Sequence, residues 1–149
     1  MVILKLLPNQ IARHWDVLSY AVAQTTVAGF EVTEEYLVDT AAKLISGQMQ
    51  CWACYERDEN KGLRIGAFIF TSIITDALTN TRNLLLAGVF VFDIKGIKVW
   101  QKGFSTLKEF GKVNDCRNIV FYTNIPDLVK LAKTFGALTE FTYGTISIT

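Results

Sequence analysis

The sequence predicts an α/β (α+β) domain built on one mixed, mostly antiparallel sheet with about four helices on its two faces. Three observations carry this reading. Helical and strand periodicities follow one another in the order β-α-α-β-β-β-α-β-α-β. Three strand-like runs between residues 48 and 92 are joined by short polar turns, the mark of a meander. The 149 residues contain no linker, repeat or low-complexity tract, so they read as one domain spanning 1–149. Half are hydrophobic, enough to offset the ordering entropy of a single core.

The elements follow in order. Residues 2–7 alternate weakly and form a first strand; Lys5 and Pro8 interrupt the apolar start, unlike a signal peptide, whose charge precedes a longer apolar run. Pro8 suits the first turn of a helix, where its missing N–H costs nothing. Ile11, Trp15, Leu18 and Val22 carry that helix's apolar stripe, and Gly29 breaks the chain after it. Thr33 is a natural N-cap for a second helix, Glu34 and Glu35 complement its dipole, Leu37, Ala41 and Leu44 face inward, and Gly47 stops it.

The meander comprises 48–56, 63–74 and 83–92, with polar turns at 57–62 and 75–82. A third helix over 97–112 buries Ile97, Trp100, Phe104, Leu107 and Phe110. Residues 118–123 are continuously apolar, as expected of a strand covered on both faces. Pro126 starts a fourth helix with Leu128, Leu131, Ala132 and Phe135 inward, and Gly136 ends it. Residues 138–148 read as a closing strand or pair of strands, with Gly144 as a bend or bulge.

Composition excludes several functions. Fifteen basic against fourteen acidic residues give a net charge of +1, so no global field draws nucleic acid, and no interleaved Arg and aromatic pattern suggests base stacking. No apolar run approaches the roughly 18 residues of a membrane span; the longest, 84–92, suits a buried strand. No membrane association and a cytoplasmic location are therefore expected. Three cysteines are too few for a disulfide framework. Cys51 and Cys54 are three apart in a strand and point to opposite faces, which places them in the core rather than around a metal. No metal site is expected. His14 sits one step off its helix stripe, a boundary position, and Cys116 lacks any partner of a nucleophile.

The element order resembles the GCN5-related N-acetyltransferase (GNAT) fold over the whole chain. The strongest local likeness is Asn118-Ile-Val-Phe-Tyr-Thr-Asn-Ile-Pro-Asp-Leu-Val-Lys-Leu-Ala-Lys-Thr-Phe-Gly136, which looks like that family's fifth strand, its Asn at Asn124, and a helix ending in a Lys-x-x-Gly-Phe-like corner at Lys133 to Ala137. The chain also resembles small GNAT-like proteins of tailed phages, some of them virion components, in size, lack of appended domains and the Gln50-Cys51-Trp52 strand.

The resemblance implies acetyl-CoA, or another acyl-CoA, bound between the fourth strand and the third helix by a Gln/Arg-x-x-Gly-x-Gly/Ala loop, and an amine acceptor that is a small molecule or a protein. The matching stretch is Asp93-Ile-Lys-Gly96-Ile-Lys98. Gly96 is retained, while Asp93 and Lys98 depart from the motif. An ionised Asp93 would repel a diphosphate unless it turns away. Lys95, Lys98 and Lys102 either replace the lost phosphate contacts or form a solvated helix face. The fourth-strand N–H groups of Gly88, Val89 and Phe90 are the expected thioester contacts, and Asn124 either holds the cofactor or caps the following helix. The leaving-thiolate tyrosine of many relatives would fall near Ala132, so that proton donor is substituted; Tyr122 and Tyr143 lie on strands and do not match it. Glu56 and Asp93 are the carboxylates available as a general base. The resemblance thus implies either an N-acyltransferase or a non-catalytic GNAT-like module, such as a phage virion or assembly protein; self-association is compatible with both.

Overall fold

The computed structural model describes residues 2–27, 29–60, 62–93 and 97–148, and of residues 97–99 only the backbone. The strands are Val2–Lys5 (β1), Met49–Asp58 (β2), Gly62–Thr75 (β3), Arg82–Val91 (β4) and Asn118–Phe121 (β5). They form one sheet in the order β1-β2-β3-β4-β5. The first three pairings are antiparallel and β4·β5 is parallel, so the sheet is mixed as the sequence predicts.

The helices are Pro8–Arg13 (α1), Trp15–Thr25 (α2), Glu34–Ser46 (α3), Ile97–Val113 (α4) and Pro126–Thr134 (α5). There are thus five described helices rather than about four, because the first expected helix breaks at His14 (φ −110°, ψ 23°). The His14 N–H closes α1 on the Gln10 carbonyl, and its own carbonyl accepts from Leu18 to open α2. Sequence periodicity is blind to this break because Ile11, Leu18 and Val22 keep their spacing across it. Thr33 caps α3 as expected, accepting from the Tyr36 N–H at 3.1 Å, and Gly47 ends it with φ 82°, a conformation that costs glycine least.

Two cores lie on the two faces of the sheet. Ile11, Leu18, Ala21, Val22 and Leu44 from α1–α3 pack on Cys51, Ala53, Phe68 and Phe70. On the other face Leu107 of α4, with Trp100 and Phe110 partly buried, packs on Trp52, Cys54, Ala67, Ile69 and Leu84. Each fully buried large side chain here contributes about 1.5–3 kcal/mol. Cys51 and Cys54 therefore fall on opposite faces, as strand alternation requires, and burial pushes both thiols up to about 12, with Cys54 adding to the effect on Cys51. Phe104 is only half-buried and stacks on Phe135 at 4.6 Å, joining α4 to α5. None of the inward-assigned residues of α5 is fully buried.

One polar network crosses the second core. Trp52 Nε1 donates to Thr71 Oγ1 (2.9 Å), Thr71 donates to Gln50 Oε1 (2.8 Å), and Gln50 Nε2 donates to the Gly47 carbonyl (3.1 Å). All three side chains are buried, so each bond replaces one that water would supply.

The expected closing strand is not formed: residues 138–148 belong to no strand among the described residues. Strand formation needs hydrogen bonds to a neighbouring edge, which sequence periodicity alone does not supply. Gly144 consequently bends no ladder.

Candidate functional site

The site is built where the register of β4 with β3 shifts by one residue and its ladder with β5 ends. On one side the β3·β4 ladder runs Phe70↔Gly88 and then Thr71↔Leu86, so Ala87 is an unpaired bulge residue. On the other side the β4·β5 ladder ends at Leu86↔Phe121. β4 continues to Val91 while β5 stops, and the two strands part at the bulge. Bulges bend and twist a strand at such places.

The parted segment of β4 turns half its main chain into the gap. The Phe92 N–H donates to the Gly66 carbonyl of β3 at 2.9 Å. By the two-residue period of a strand, Phe90 and Gly88 also address β3, whereas Val89 and Val91 direct their N–H and C=O groups to the side that β5 has vacated. Of the three residues expected there, Val89 faces the gap and Gly88 and Phe90 do not; Val91 faces it and was not singled out. Periodicity gives the alternation but not its phase, which only the pairing with β3 sets.

Gly88 has a different task. A Cβ placed on it would lie 2.6 Å from Thr25 Oγ1 and 2.7 Å from Thr25 Cβ. The end of α2 therefore rests directly on β4 beside the bulge, at a distance only glycine permits. Thr25 and Thr26 both donate to the Val22 carbonyl, at 3.1 and 2.9 Å. Since the Thr26 proton is so used, the Tyr36 hydroxyl is the donor in its 3.0 Å contact with Thr26 Oγ1.

A hollow of about 220 Å³ opens beside this contact. Thr25, Thr26 and Tyr36 line it from the helical layer, Ala87 and Gly88 from β4, and Tyr122 from just past β5, which ends at Phe121 rather than at 123 as the sequence suggested. Val22, Phe30, Met49 and Phe70 make it largely apolar. Tyr122 stacks on Tyr143 with ring centroids 4.7 Å apart. Desolvation holds its phenol above the ordinary value, with Tyr143 and Tyr36 acting in the same direction, so it keeps its proton at neutral pH.

The acidic candidates lie elsewhere. Arg64 Nη1 meets Asp93 Oδ2 at 2.6 Å, and Arg64 Nη2 meets Glu56 Oε2 at 3.8 Å. Asp93 is thus engaged by a cation on β3, which offsets its negative charge. Neither Glu56 nor Asp93 lines the hollow. Among the described residues no group of His, Cys, Asp and Glu is arranged to hold a metal ion, and no helix is long and apolar enough to cross a membrane. Lys95 and Gly96 lie outside the described residues, as does the side chain of Lys98; Lys102 is exposed on α4.

Asn124 is exposed in the turn before α5. It is not the helix cap: that position is Ile125, whose N–H is taken by Thr123 Oγ1 at 3.1 Å. His14 is exposed at the α1/α2 break, and Trp100 packs on the second core, as their sequence positions suggested.

No protein-family model and no curated protein matches the chain. Solved structures do. AAC(6')-Iy in complex with the bisubstrate analogue CoA-S-monomethyl-acetylneamine superposes with a TM-score of 0.72 at 12% identity, covering 98% of this chain and 96% of that one. An aminoglycoside acetyltransferase from an uncultured soil metagenomic sample gives 0.69 at 15% identity, with 99% and 98% covered. Glucosamine-6-phosphate N-acetyltransferase from Arabidopsis thaliana gives 0.64 at 17% identity, again with 99% and 98% covered. The chain has the GNAT-like fold over its full length, at identities that establish the fold alone.

Proposed function

We propose that the protein is an acyl-CoA-dependent N-acyltransferase, acting in the cytoplasm, that moves an acetyl group to an amine. The observation that carries this is the coincidence of the Ala87 bulge with the end of the β4·β5 ladder, which opens a gap faced by strand amides. The residues present fit the cofactor. The gap has free main-chain donors, and the one carboxylate in the matching loop is neutralised by Arg64.

When bound, acyl-CoA supplies the activated acyl group as a thioester. The chain's own residues do the rest. The Val89 and Val91 N–H groups stand as fixed donors for an oxygen that gains negative charge, a preorganisation that needs no rearrangement during reaction. Tyr122 holds a proton at Oη beside the parted strands, available to a leaving thiolate in place of the tyrosine that Ala132 substitutes. Thr25, Thr26 and Tyr36 shape the wall from which an amine acceptor approaches, and the apolar lining excludes competing water. Since Glu56 and Asp93 are tied to Arg64, no described carboxylate serves as base in the hollow, and the amine reacts from its neutral form. Lys95, Gly96, Lys98 and Asn124 are assigned to the diphosphate and adenosine end.

Isothermal calorimetry with acetyl-CoA tests the reading, followed by thiol release in the presence of amines. Saturable binding that Gly96→Trp abolishes supports it. No heat at millimolar cofactor leaves the second reading, a non-catalytic GNAT-like module such as a phage assembly or virion part, which the substituted tyrosine at Ala132 favours.

A further inference from the structure

The hollow beside the bulge has a lining that discriminates among amines. Lys43 is the one charged side chain among the described residues that line it, and no carboxylate does. Lys43 pairs with Asp39, one turn back on α3, at 3.0 Å, and both side chains are exposed, so its ammonium stays at the rim. The hydroxyl protons of the wall are already committed. Thr25 and Thr26 donate to the Val22 carbonyl, Tyr36 donates to Thr26, and Thr40 donates to the Tyr36 carbonyl at 2.9 Å. These four groups therefore offer a guest lone pairs and not protons. Much of the remaining wall is aromatic. Phe30 meets Tyr36 edge-on with ring centroids 5.0 Å apart, and Tyr122, backed by Tyr143, adds a second ring. The volume, about 220 Å³, falls below the roughly 300–1,000 Å³ of sites that take drug-sized ligands.

We propose that the hollow takes, as acceptor, a small monoamine with one primary amine on a compact aromatic body, an arylalkylamine, in preference to a polycationic amino sugar. This acceptor class rests on the N-acyltransferase reading above and adds to it what that reading leaves open. A buried cation needs a counter-charge, and a second or third ammonium would meet only Lys43 here. A lone amine avoids that penalty by shedding its proton on entry, which leaves it in the neutral form that attacks a thioester. Its N–H groups then find acceptors in Thr25 Oγ1 and Tyr36 Oη, whose own protons point elsewhere. Its ring covers Phe30, Met49 and Phe70. Aromatic side chains bury roughly 150–250 Å² each and favour edge-on or offset contact with other rings, which Phe30 and Tyr36 provide. A polyhydroxylated sugar gains little from such a wall, since its hydroxyl protons are satisfied at few points and its hydroxyl oxygens find no donor among these four groups.

Isothermal calorimetry on the full chain, with phenethylamine and with neamine as a compact polycationic amino sugar, tests the class; acetyl-CoA is titrated separately. Phenethylamine should bind saturably and roughly tenfold more tightly than neamine. Tyr36→Phe keeps the ring and removes Oη, so it should weaken phenethylamine by about 3–10-fold with wild-type circular dichroism. Lys43→Glu alters an exposed position and sets a carboxylate at the rim, so it should tighten neamine by about threefold and leave phenethylamine within about twofold. The inference is overturned by neamine binding wild type as tightly as phenethylamine, by no phenethylamine heat at millimolar amine, or by a Lys43→Glu chain with the wild-type ratio. The two possible failures are distinct. Acetyl-CoA binding without phenethylamine binding removes the acceptor class alone. The expected order of amines without acetyl-CoA binding removes acyl transfer and upholds the ligand class of the hollow.

Discussion

Replacing Gly88 with alanine tests the contact on which the hollow depends. The added Cβ would sit 2.6 Å from Thr25 Oγ1 and 2.7 Å from Thr25 Cβ. Carbon atoms pack favourably at about 3.5–4.0 Å, so the end of α2 must retreat by roughly 1 Å. Both near atoms lie on a β-branched side chain whose hydroxyl is held by the Val22 carbonyl, which makes rotation away costly. Overpacking of this kind costs about 1–3 kcal/mol, and for a chain of this size each kcal/mol lowers Tm by about 2–4 °C. Gly88→Ala should therefore melt about 2–12 °C below wild type. Thr25→Gly should cost only about 0.3 kcal/mol through helix propensity. In the double variant the clash is gone, so urea denaturation should show the two changes compensating by about 1–2 kcal/mol in a double-mutant cycle. If Gly88→Ala melts with wild type, or the cycle shows no coupling, α2 does not rest on β4 as described.

Thr71→Val keeps the shape of a buried side chain but strands the Trp52 Nε1 donor and the Gln50 acceptor; urea denaturation should show a loss of about 1–3 kcal/mol that Thr71→Ser largely restores. Arg64→Met should change stability by less than about 1 kcal/mol, because the pair is substantially exposed, yet weaken acetyl-CoA binding in calorimetry by freeing the Asp93 charge; adding Asp93→Asn should restore it. Tyr122→Phe should lower kcat by roughly 100-fold with acetyl-CoA affinity unchanged, if its hydroxyl serves as the general acid. The two buried thiols make stability fall with alkaline pH. Their folded values of about 12 exceed the ordinary 9.0, so above pH 9 the unfolded chain binds fewer protons than the folded one. Between about pH 9 and 12 each thiol should reduce stability by up to about 1.4 kcal/mol per pH unit, and a pH series of urea midpoints should show a shallower slope in Cys51→Ala/Cys54→Ala.

The sequence by itself determined what local pattern can encode. Thr33, Glu34 and Gly47 mark the ends of α3, the polar turns separate three antiparallel strands, and Pro126 and Gly136 bracket α5. Strand alternation alone sends Cys51 and Cys54 to opposite cores. Each of these follows from residues close together along the chain, where propensity, capping and periodicity act.

Tertiary structure decided the rest, because the deciding partners are distant in sequence. The bulge at Ala87 exists only relative to β3, and the gap only relative to β5. Gly88 needs its missing side chain because of Thr25, sixty-three positions earlier, and Asp93 is neutralised by Arg64 on another strand. Residues 138–148 show the same limit from the other side. Their composition specifies a strand, but a strand is completed by the edge it bonds, and that edge is a property of the assembled fold.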